Sequence, residues 1–317
     1  MKLSVVIPCY NEEQNVAPLQ QVCIEAFAGK VDSYELIFVN DGSRDHTWQA
    51  LKALYHKGLC NVKLINLSRN FGKEAAMYAG LQKAVGEYVT LLDADLQQSP
   101  DIVVQMVQHL DENPDCDSVA AYQENRIEGK FTSWCKRCFY RLMDKVCDIS
   151  LHEGASDFRT FRRRVAEAIL DVKECYRFSK GIFSWVGFNT HFIPYTAQER
   201  RHGVSTWSFW KLVKYAINGI VSYTTFPLKL ATVAGALMSF LSAIYMIVVV
   251  VQKLAFGISI PGYPTIIVLI LLIGGLQMIM LGIIGEYIAR MYIQGKHRPL
   301  YVEKEYLSPD EEDSHAG

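Results

Sequence analysis

Two carboxylates separated by one alanine, Asp93 and Asp95, follow a run of apolar and β-branched residues that ends at Leu92. In proteins Mg²⁺ and similar hard cations bind oxygen ligands, commonly one or two carboxylates together with substrate phosphates. Acidic residues also occur at helix starts, and Ser99-Pro100 just beyond predicts a helix start nearby. The position at the end of a buried strand favours a divalent-metal site, Mg²⁺ or Mn²⁺, over helix capping alone.

Polar and charged side chains also follow three other predicted strands. Asn11 and Glu12 come after the first strand, Asp41 after the second, and Arg69 and Lys73 after the third. In a parallel sheet these strand ends meet at one rim, where ligands bind. The two cations suit a diphosphate, although turn and helix-start chemistry would explain each group taken alone.

The elements that must position these residues are short runs rich in β-branched side chains, separated by segments with helical periodicity. The runs are 3–7, 36–39, 62–67, 88–92 and 118–121. This alternation predicts an α/β domain with a parallel sheet covered by helices on both faces. Neither a P-loop motif nor G-x-G-x-x-G follows the first strand, which argues against a P-loop NTPase and a dinucleotide oxidoreductase.

Composition excludes several classes of protein. Half of the 317 residues are apolar, so the chain can bury a sizeable core and is neither disordered nor collagen-like. The 32 Lys and Arg residues nearly balance the 33 Asp and Glu residues, and we expect no nucleic-acid partner. The lone C-x-x-C pair, Cys135 and Cys138, lacks a second close pair to complete a zinc site, and we interpret it as part of a helix.

Two long stretches carry no charge, one between Lys229 and Lys253 and one over 254–285. Each exceeds the ~20 residues that cross a bilayer, which favours transmembrane helices at about 230–252 and 263–287 over buried core helices. Basic residues flank the outer ends of both stretches: Lys211, Lys214, Lys229, Arg290, Lys296, Arg298 and Lys304. The positive-inside rule therefore places both termini in the cytoplasm of a protein of the inner (plasma) membrane.

Two basic, aromatic segments precede the spans. Segment 131–148 has apolar residues at helical spacing, which suits a helix in the membrane interface and a helix packed on the sheet equally well. Segment 207–215 suits the headgroup level. The predicted organisation is a catalytic domain over 1–205, a juxtamembrane amphipathic region over 206–228, two spans within 229–292, and a cytoplasmic tail over 293–317. We expect the acidic end of this tail to be disordered.

Four motifs follow the predicted strands: Pro8-x-Tyr10-Asn11-Glu12, Asn40-Asp41-Gly42-Ser43-x-Asp45-x-Thr47, Arg69-Asn70-x-Gly72-Lys73 and Asp93-Ala94-Asp95-Leu96-Gln97. In this order and spacing they resemble those of the family 2 glycosyltransferases with a GT-A fold. More narrowly, they resemble the polyprenyl-phosphate glycosyltransferases, the group of dolichol-phosphate mannose synthase and the bactoprenol glucosyltransferases. Later motifs resemble the bactoprenol branch: Ser156-Asp157-Phe158-Arg159, Trp185-x-Gly187-Phe188, Arg200-x-x-Gly203-x-Ser205 and Phe226-Pro227-Leu228.

The resemblance covers nearly the whole chain and implies a Rossmann-like, mostly parallel sheet. It also implies roles for particular residues. Nucleotide contacts are implied for Pro8, Tyr10, Glu12 and Asp41; the metal and diphosphate site for Asp93, Asp95 and Gln97; and the neighbourhood of the acceptor phosphate for Arg159 and Arg200. We predict Asp95, Arg159 and Arg200 as catalytic residues and Lys73 as a diphosphate contact. Thr206 stands where many relatives have lysine, which leaves Arg200 and Arg201 as the better candidate cations.

We therefore predict an inverting, metal-dependent glycosyltransferase. It would move a hexose, most simply glucose from UDP-glucose, to undecaprenyl phosphate on the cytoplasmic membrane face. UDP-N-acetylglucosamine, a modified aminoarabinose donor and GDP-mannose stay open as donors, and so does self-association into a homo-oligomer. The alternative from another class is a membrane scaffold or channel subunit that senses nucleotide. Such a protein usually needs ionisable groups inside its spans, and these two stretches contain no Asp, Glu, Lys, Arg or His.

Overall fold

Strands and helices alternate through the described residues, which are 1–123, 155–196, 221–222, 224–256 and 262–309 of a computed structural model. In chain order the elements are β1 Leu3–Cys9, α1 Val16–Phe27, β2 Tyr34–Asn40, α2 Thr47–Lys57, β3 Asn61–Leu67, α3 Lys73–Lys83, β4 Tyr88–Leu91, α4 Pro100–Glu112, β5 Ser118–Gln123, β6 Ala155–Arg162, α5 Arg163–Asp171, α6 Ser179–Trp185, β7 Thr190–Tyr195, α7 Phe226–Phe256, α8 Tyr263–Gly295 and β8 Glu303–Leu307.

The strands form one sheet in the order β7-β5-β6-β4-β1-β2-β3-β8. Its centre is parallel, with β1 between β2 and β4, and β6 and β8 run opposite to their neighbours. Both faces of β1 are covered, because Leu3 and Val5 belong to the core with α1 and α4 while Val6 lies against Gly80 of α3. A strand buried on both faces reads as a continuous apolar run, as it does here.

The predicted α/β class with a mostly parallel sheet is confirmed, and the five predicted apolar runs lie in β1 to β5. The three later strands were not predicted. β6 places Arg159 opposite Leu91 of β4 and Ala120 of β5, so a reversed strand lies at the middle of this half of the sheet. Its polar residues, Asp157 and Arg159 among them, interrupt the apolar pattern that marks the other central strands.

The last strand changes the predicted domain boundaries. β8 pairs antiparallel with β3, with Leu307 opposite Leu64 and Tyr306 opposite Ile65. Accordingly, described residues from Arg298 onward belong to the same compact unit as those up to 196, and described residues from 221 to His297 form a second unit. The predicted tail over 293–317 is thus corrected: α8 runs to Gly295, and a strand follows it. Charged residues are common on edge strands, which explains why this segment reads as a tail.

The second unit contains the two long helices. They include candidate membrane spans at Phe226–Gln252 and Ile266–Gly295, with mean hydropathies of 2.3 and 2.7. At 1.5 Å per residue each segment is roughly 40 Å long, enough for a hydrocarbon core of about 30 Å. The α8 helix is tied to the start of the unit, because the Tyr287 hydroxyl donates to the Thr224 carbonyl (2.7 Å) and Arg290 donates to Ser222 Oγ (2.8 Å).

Candidate active site

A tight turn after β4 holds the two acidic residues of the predicted metal site, Asp93 and Asp95, together with Gln97. The Asp93 amide donates to Gln98 Oε1 (3.0 Å), and Gln98 Nε2 donates back to Asp93 Oδ2 (3.1 Å). Asp95 Oδ1 accepts the Gln97 amide at 3.2 Å, and Leu96 between them has φ 61°. A leucine in the left-handed region is uncommon and persists only where its surroundings impose it. The turn therefore sets the direction of both carboxylates before any ligand binds.

Lys73, the first residue of α3, reaches this turn. Its Nζ lies 2.6 Å from Asp93 Oδ1 and 3.1 Å from Asp157 Oδ2. Asp157 belongs to β6, which is hydrogen-bonded to β4. One ammonium group thus bridges carboxylates from two neighbouring strands, at the rim where the sequence predicted the diphosphate cation.

Electrostatics reinforce this bridge. Burial alone would lower the pKa of Lys73, but the carboxylates of Asp93 and Asp157 outweigh it and raise the pKa well above its ordinary value. Burial alone would raise the pKa of Asp157, but the positive charges of Lys73 and Lys180 lower it. The lysine is therefore protonated and Asp157 ionised at neutral pH.

Asp41 organises the loop that leads into α3. Its two carboxylate oxygens accept the amides of Phe71 (2.7 Å) and Gly72 (2.9 Å). Burial raises the pKa of Asp41, while these two amides and the Arg69 charge act to lower it. The adjacent Gly42 has φ 60°, and a Cβ there would lie 2.3 Å from the Arg69 carbonyl carbon, so only glycine fits. Asp41 and Gly42 together hold the second and third rim loops in contact.

The loop after β1 is joined to the loop after β2. The backbone amide of Asn11 donates to Ser43 Oγ (3.0 Å), and the backbone amide of Glu12 donates to Thr47 Oγ1 (2.9 Å). The Glu12 side chain accepts from Asn15 Nδ2 at 2.6 Å. Residues of the first two motifs are therefore joined by hydrogen bonds, which gives them a structural role besides any contact with nucleotide.

Pro8 and Tyr10, the other predicted nucleotide contacts, lie at the end of the same strand. Pro8 is within β1 opposite Val39, and the Tyr10 side chain projects to the surface with 41% exposure. An exposed aromatic ring beside a polar rim offers a face on which a base can stack. The rim thus carries an available aromatic surface next to interlocked polar loops.

Arg159 is buried beneath the rim on β6. Its guanidinium carbon lies 3.6 Å from the Phe183 ring centroid, and Nη2 donates to the Ser156 carbonyl at 3.1 Å. Among the residues that the structure describes, none is a hydrogen-bond partner of its buried Nε. Burial lowers the pKa of Arg159 to about 10, against the opposing effect of Asp157. Asp157, the carboxylate that acts to raise the pKa of Arg159, forms its ion pair with Lys73.

Some predicted features lie outside the described residues. They are Arg200 and Arg201, Thr206, the pair Cys135 and Cys138, and the basic segments 131–148 and 207–215. The structure therefore brings together Asp93, Lys73 and the unpredicted Asp157, while the partnership of Arg159 with Arg200 stays a prediction.

Three contributors to the site were missed from sequence. Gln98 orients Asp93, Asp157 completes the bridge, and Glu74 accepts hydrogen bonds from the amide and hydroxyl of Ser179 at the start of α6. Because α6 carries Phe183, the Glu74 contact connects α3 to the support of Arg159. Only Asp157 left a sequence signal, as part of the Ser156 to Arg159 motif.

The donor set fits a divalent ion that is shared with a ligand. Among the described residues, no group of three or more His, Cys, Asp and Glu side chains is arranged to hold a metal without help. Two hard carboxylates at a rim, however, are the usual protein contribution when phosphates complete the coordination of Mg²⁺. Asp93 and Asp95 satisfy that requirement.

Comparison with known proteins finds similarity over nearly the whole chain. Residues 4–170 match the model of glycosyl transferase family 2, and 226–291 match the GtrB C-terminal hairpin. An uncharacterized glycosyltransferase of Synechocystis sp. (PCC 6803), sll0501, is 39% identical over 95% of this chain and 94% of its own length. The bactoprenol glucosyl transferase of Shigella phage SfV is 36% identical over 96% of this chain and 98% of its own. A crystal structure of S. aureus TarS (residues 1–349) aligns with 18% identity and a TM-score of 0.44, covering 62% of this chain and 59% of that one. The chain therefore belongs to glycosyl transferase family 2 and is a glycosyltransferase.

Proposed function

We propose that this enzyme transfers a hexose from a nucleotide sugar to undecaprenyl phosphate on the cytoplasmic face of the plasma membrane. The supporting observation is that one chain combines two features. Its rim has Asp93 and Asp157 bridged by Lys73, and it also has two helices long and apolar enough to span a membrane. The near full-length similarity to a bactoprenol glucosyl transferase favours glucose, and hence UDP-glucose, as the donor.

In this proposal the donor binds along the rim. Asp93, Asp95 and Gln97 would hold a divalent ion, Mg²⁺ or Mn²⁺, together with the diphosphate, and Lys73 would add positive charge there. Pro8, Tyr10, Glu12 and Asp41 form the nucleotide side, with the exposed Tyr10 ring as the surface for the base. When bound, the metal would supply charge that stabilises the departing nucleoside diphosphate.

The acceptor phosphate supplies the nucleophile. It is already anionic at neutral pH, so one of its oxygens forms the new bond to the anomeric carbon while the bond to the diphosphate oxygen breaks. Attack from the opposite side inverts the configuration, and no strong general base is required because no proton leaves the nucleophile. Arg159 and Arg200 would hold the acceptor phosphate against the repulsion of the donor's own negative charge.

The helices α7 and α8 form a helical hairpin, and in this proposal the residues before and after it lie on the same side of the membrane. Residues on either side of it enter the same sheet, since β8 pairs with β3, and two spans return the chain to the side from which it started. Arg290, Lys296 and Arg298 at the second flank favour the cytoplasm.

The direct test combines the purified full-length protein with undecaprenyl phosphate and, separately, UDP-glucose, UDP-N-acetylglucosamine, a UDP-aminoarabinose derivative and GDP-mannose. Mass spectrometry of the lipid should show a hexose adduct with UDP-glucose. A different adduct would reassign the donor. Nucleotide binding without any lipid-linked sugar from the whole panel would contradict the proposal and favour the nucleotide-sensing scaffold.

A further inference from the structure

Asp93 already has a donor on each carboxylate oxygen. Lys73 Nζ lies 2.6 Å from Oδ1, and Gln98 Nε2 lies 3.1 Å from Oδ2. The Gln98 side chain is buried and also accepts the Asp93 amide, so it is fixed by two hydrogen bonds. A metal ion that coordinates Asp93 must therefore either share this carboxylate with the Lys73 ammonium group or displace the ammonium group from it.

The ammonium group is held in place from two sides. Gly72, the residue before Lys73, donates its backbone amide to Asp41, which fixes the backbone at the start of α3. The second carboxylate, Asp157, lies 3.1 Å away on the neighbouring strand. Lys73 is thus a positioned cation at the predicted metal site.

We propose that Lys73 acts as an internal counter-cation that suppresses divalent-metal binding to the nucleotide-free protein and makes metal and nucleotide bind cooperatively. A divalent ion and an ammonium group on the same carboxylate repel each other. A nucleoside diphosphate brings oxygen ligands for the metal and negative charge for the lysine, so Lys73 can leave Asp93 without losing an anionic partner. The inference rests on the proposed function only in taking a nucleoside diphosphate as the ligand of this rim.

Binding linkage makes the proposal quantitative. If the nucleotide relieves the competition between Lys73 and the metal, each ligand tightens the other by the same factor, and couplings of this type are typically about 5- to 150-fold. Removing the lysine charge should therefore strengthen metal binding to the free protein and weaken the coupling.

The experiment measures Mn²⁺ binding to the full-length protein in detergent, by loss of the free Mn²⁺ signal in electron paramagnetic resonance, with and without saturating UDP. Lys73→Met keeps much of the side-chain length without the charge, and Lys73→Gln is a second variant with a polar end. Lys180→Met is the matched control, because it removes a positive charge whose field reaches Asp157. Melting temperatures verify that each variant is folded.

Without UDP, both Lys73 variants should bind Mn²⁺ about tenfold or more tightly than the parent, and the tightening caused by UDP should shrink accordingly. Lys180→Met should change the UDP-free affinity less than about threefold. Equal or weaker Mn²⁺ binding by the Lys73 variants without UDP would overturn the proposal, and so would absence of Mn²⁺ binding in every state. Because no acceptor or sugar transfer enters the measurement, failure to glycosylate polyprenyl phosphate would leave this result standing.

Discussion

At the scale of single residues, two carboxylates of the rim, Asp41 and Asp93, have different kinds of hydrogen-bond partner. Asp41 gives both oxygens to backbone amides of the loop before α3, so its first effect is to shape that loop. Asp93 gives its oxygens to side chains, Lys73 and Gln98, which can change partners when a ligand arrives. Substitution of Asp41 should therefore disturb structure, whereas substitution at the turn after β4 should disturb chemistry.

Asp95→Asn should lower turnover by at least about a hundredfold, because a carboxylate ligand of the metal is replaced by a neutral amide. The fold should persist, since the asparagine Oδ1 can still accept the Gln97 amide that Asp95 now accepts. Turnover and melting temperature measured on the same preparation separate the two effects. EDTA should abolish activity of the parent, and full activity in EDTA would exclude the metal role.

Arg159→Lys should reduce kcat/KM for polyprenyl phosphate by about tenfold or more, while affinity for the nucleotide sugar stays near the parent value. The ammonium lacks the planar donor fork for a phosphate and the guanidinium face that lies 3.6 Å from the Phe183 centroid. Arg200→Lys should behave similarly. If acceptor kinetics are unchanged in both variants, neither arginine binds the acceptor phosphate.

At the scale of elements, α3 is held at both ends. Its first residue bridges Asp93 and Asp157, and its last, Lys83, pairs with Glu303 (3.4 Å) and lies over the Tyr306 ring (4.0 Å). Between them, Gln82 accepts the Tyr301 hydroxyl at 2.6 Å. The segment after the helical hairpin thus contacts the C-terminal end of α3, the helix whose first residue, Lys73, lies in the site.

Tyr306→Ala should destabilise the catalytic unit by roughly 1–2 kcal/mol, because the substitution removes the cation–π contact with Lys83 and a cross-strand pair with Ile65. A lower melting temperature would report this loss. Tyr306→Phe keeps the ring and is the matched control, with a melting temperature close to the parent. Equal melting temperatures for the alanine and phenylalanine variants would show that β8 adds nothing through this residue.

At the scale of the whole molecule, the helical hairpin is an insertion within the catalytic unit rather than an addition to its end. Residues after it complete the edge of the sheet beside β3. Unpaired edge strands expose backbone donors and acceptors that favour aggregation. The compact catalytic unit therefore includes described residues beyond the predicted domain over 1–205.

A chain ending at 205 should melt at a lower temperature and aggregate more readily than one in which a flexible Gly-Ser linker joins residue 205 to Arg298 and the residues after it. Both should lose transfer to acceptor embedded in membranes, since both lack the apolar helices. The linked chain should retain UDP binding, measurable by calorimetry. Equal stability of the two chains would remove the structural role assigned to β8, and undiminished transfer to membrane-embedded acceptor would remove the role of the hairpin.

The sequence by itself determined the features that depend on local pattern. Five strands, the turn bearing Asp93 and Asp95, and two long apolar helices each occupy a continuous segment, and hydrophobic periodicity or length identifies such segments. The family motifs added the candidate rim residues, because their order along the chain reflects loops at one end of a parallel sheet. For Lys73, charge type and place after a strand were sufficient to predict its location at the rim.

Only the tertiary structure decided which distant residues meet. Lys73 and Asp157 are 84 positions apart, and β3 and β8 are joined across the whole helical hairpin. Pairing over such separations depends on strand order and direction, which periodicity does not encode. The reversed β6 brings Asp157 beside β4. The charged sequence of β8 has the local pattern of a tail, and it forms a strand because its backbone pairs with β3. These long-range pairings, set by backbone hydrogen bonding and charge proximity, convert the rim motifs into a site.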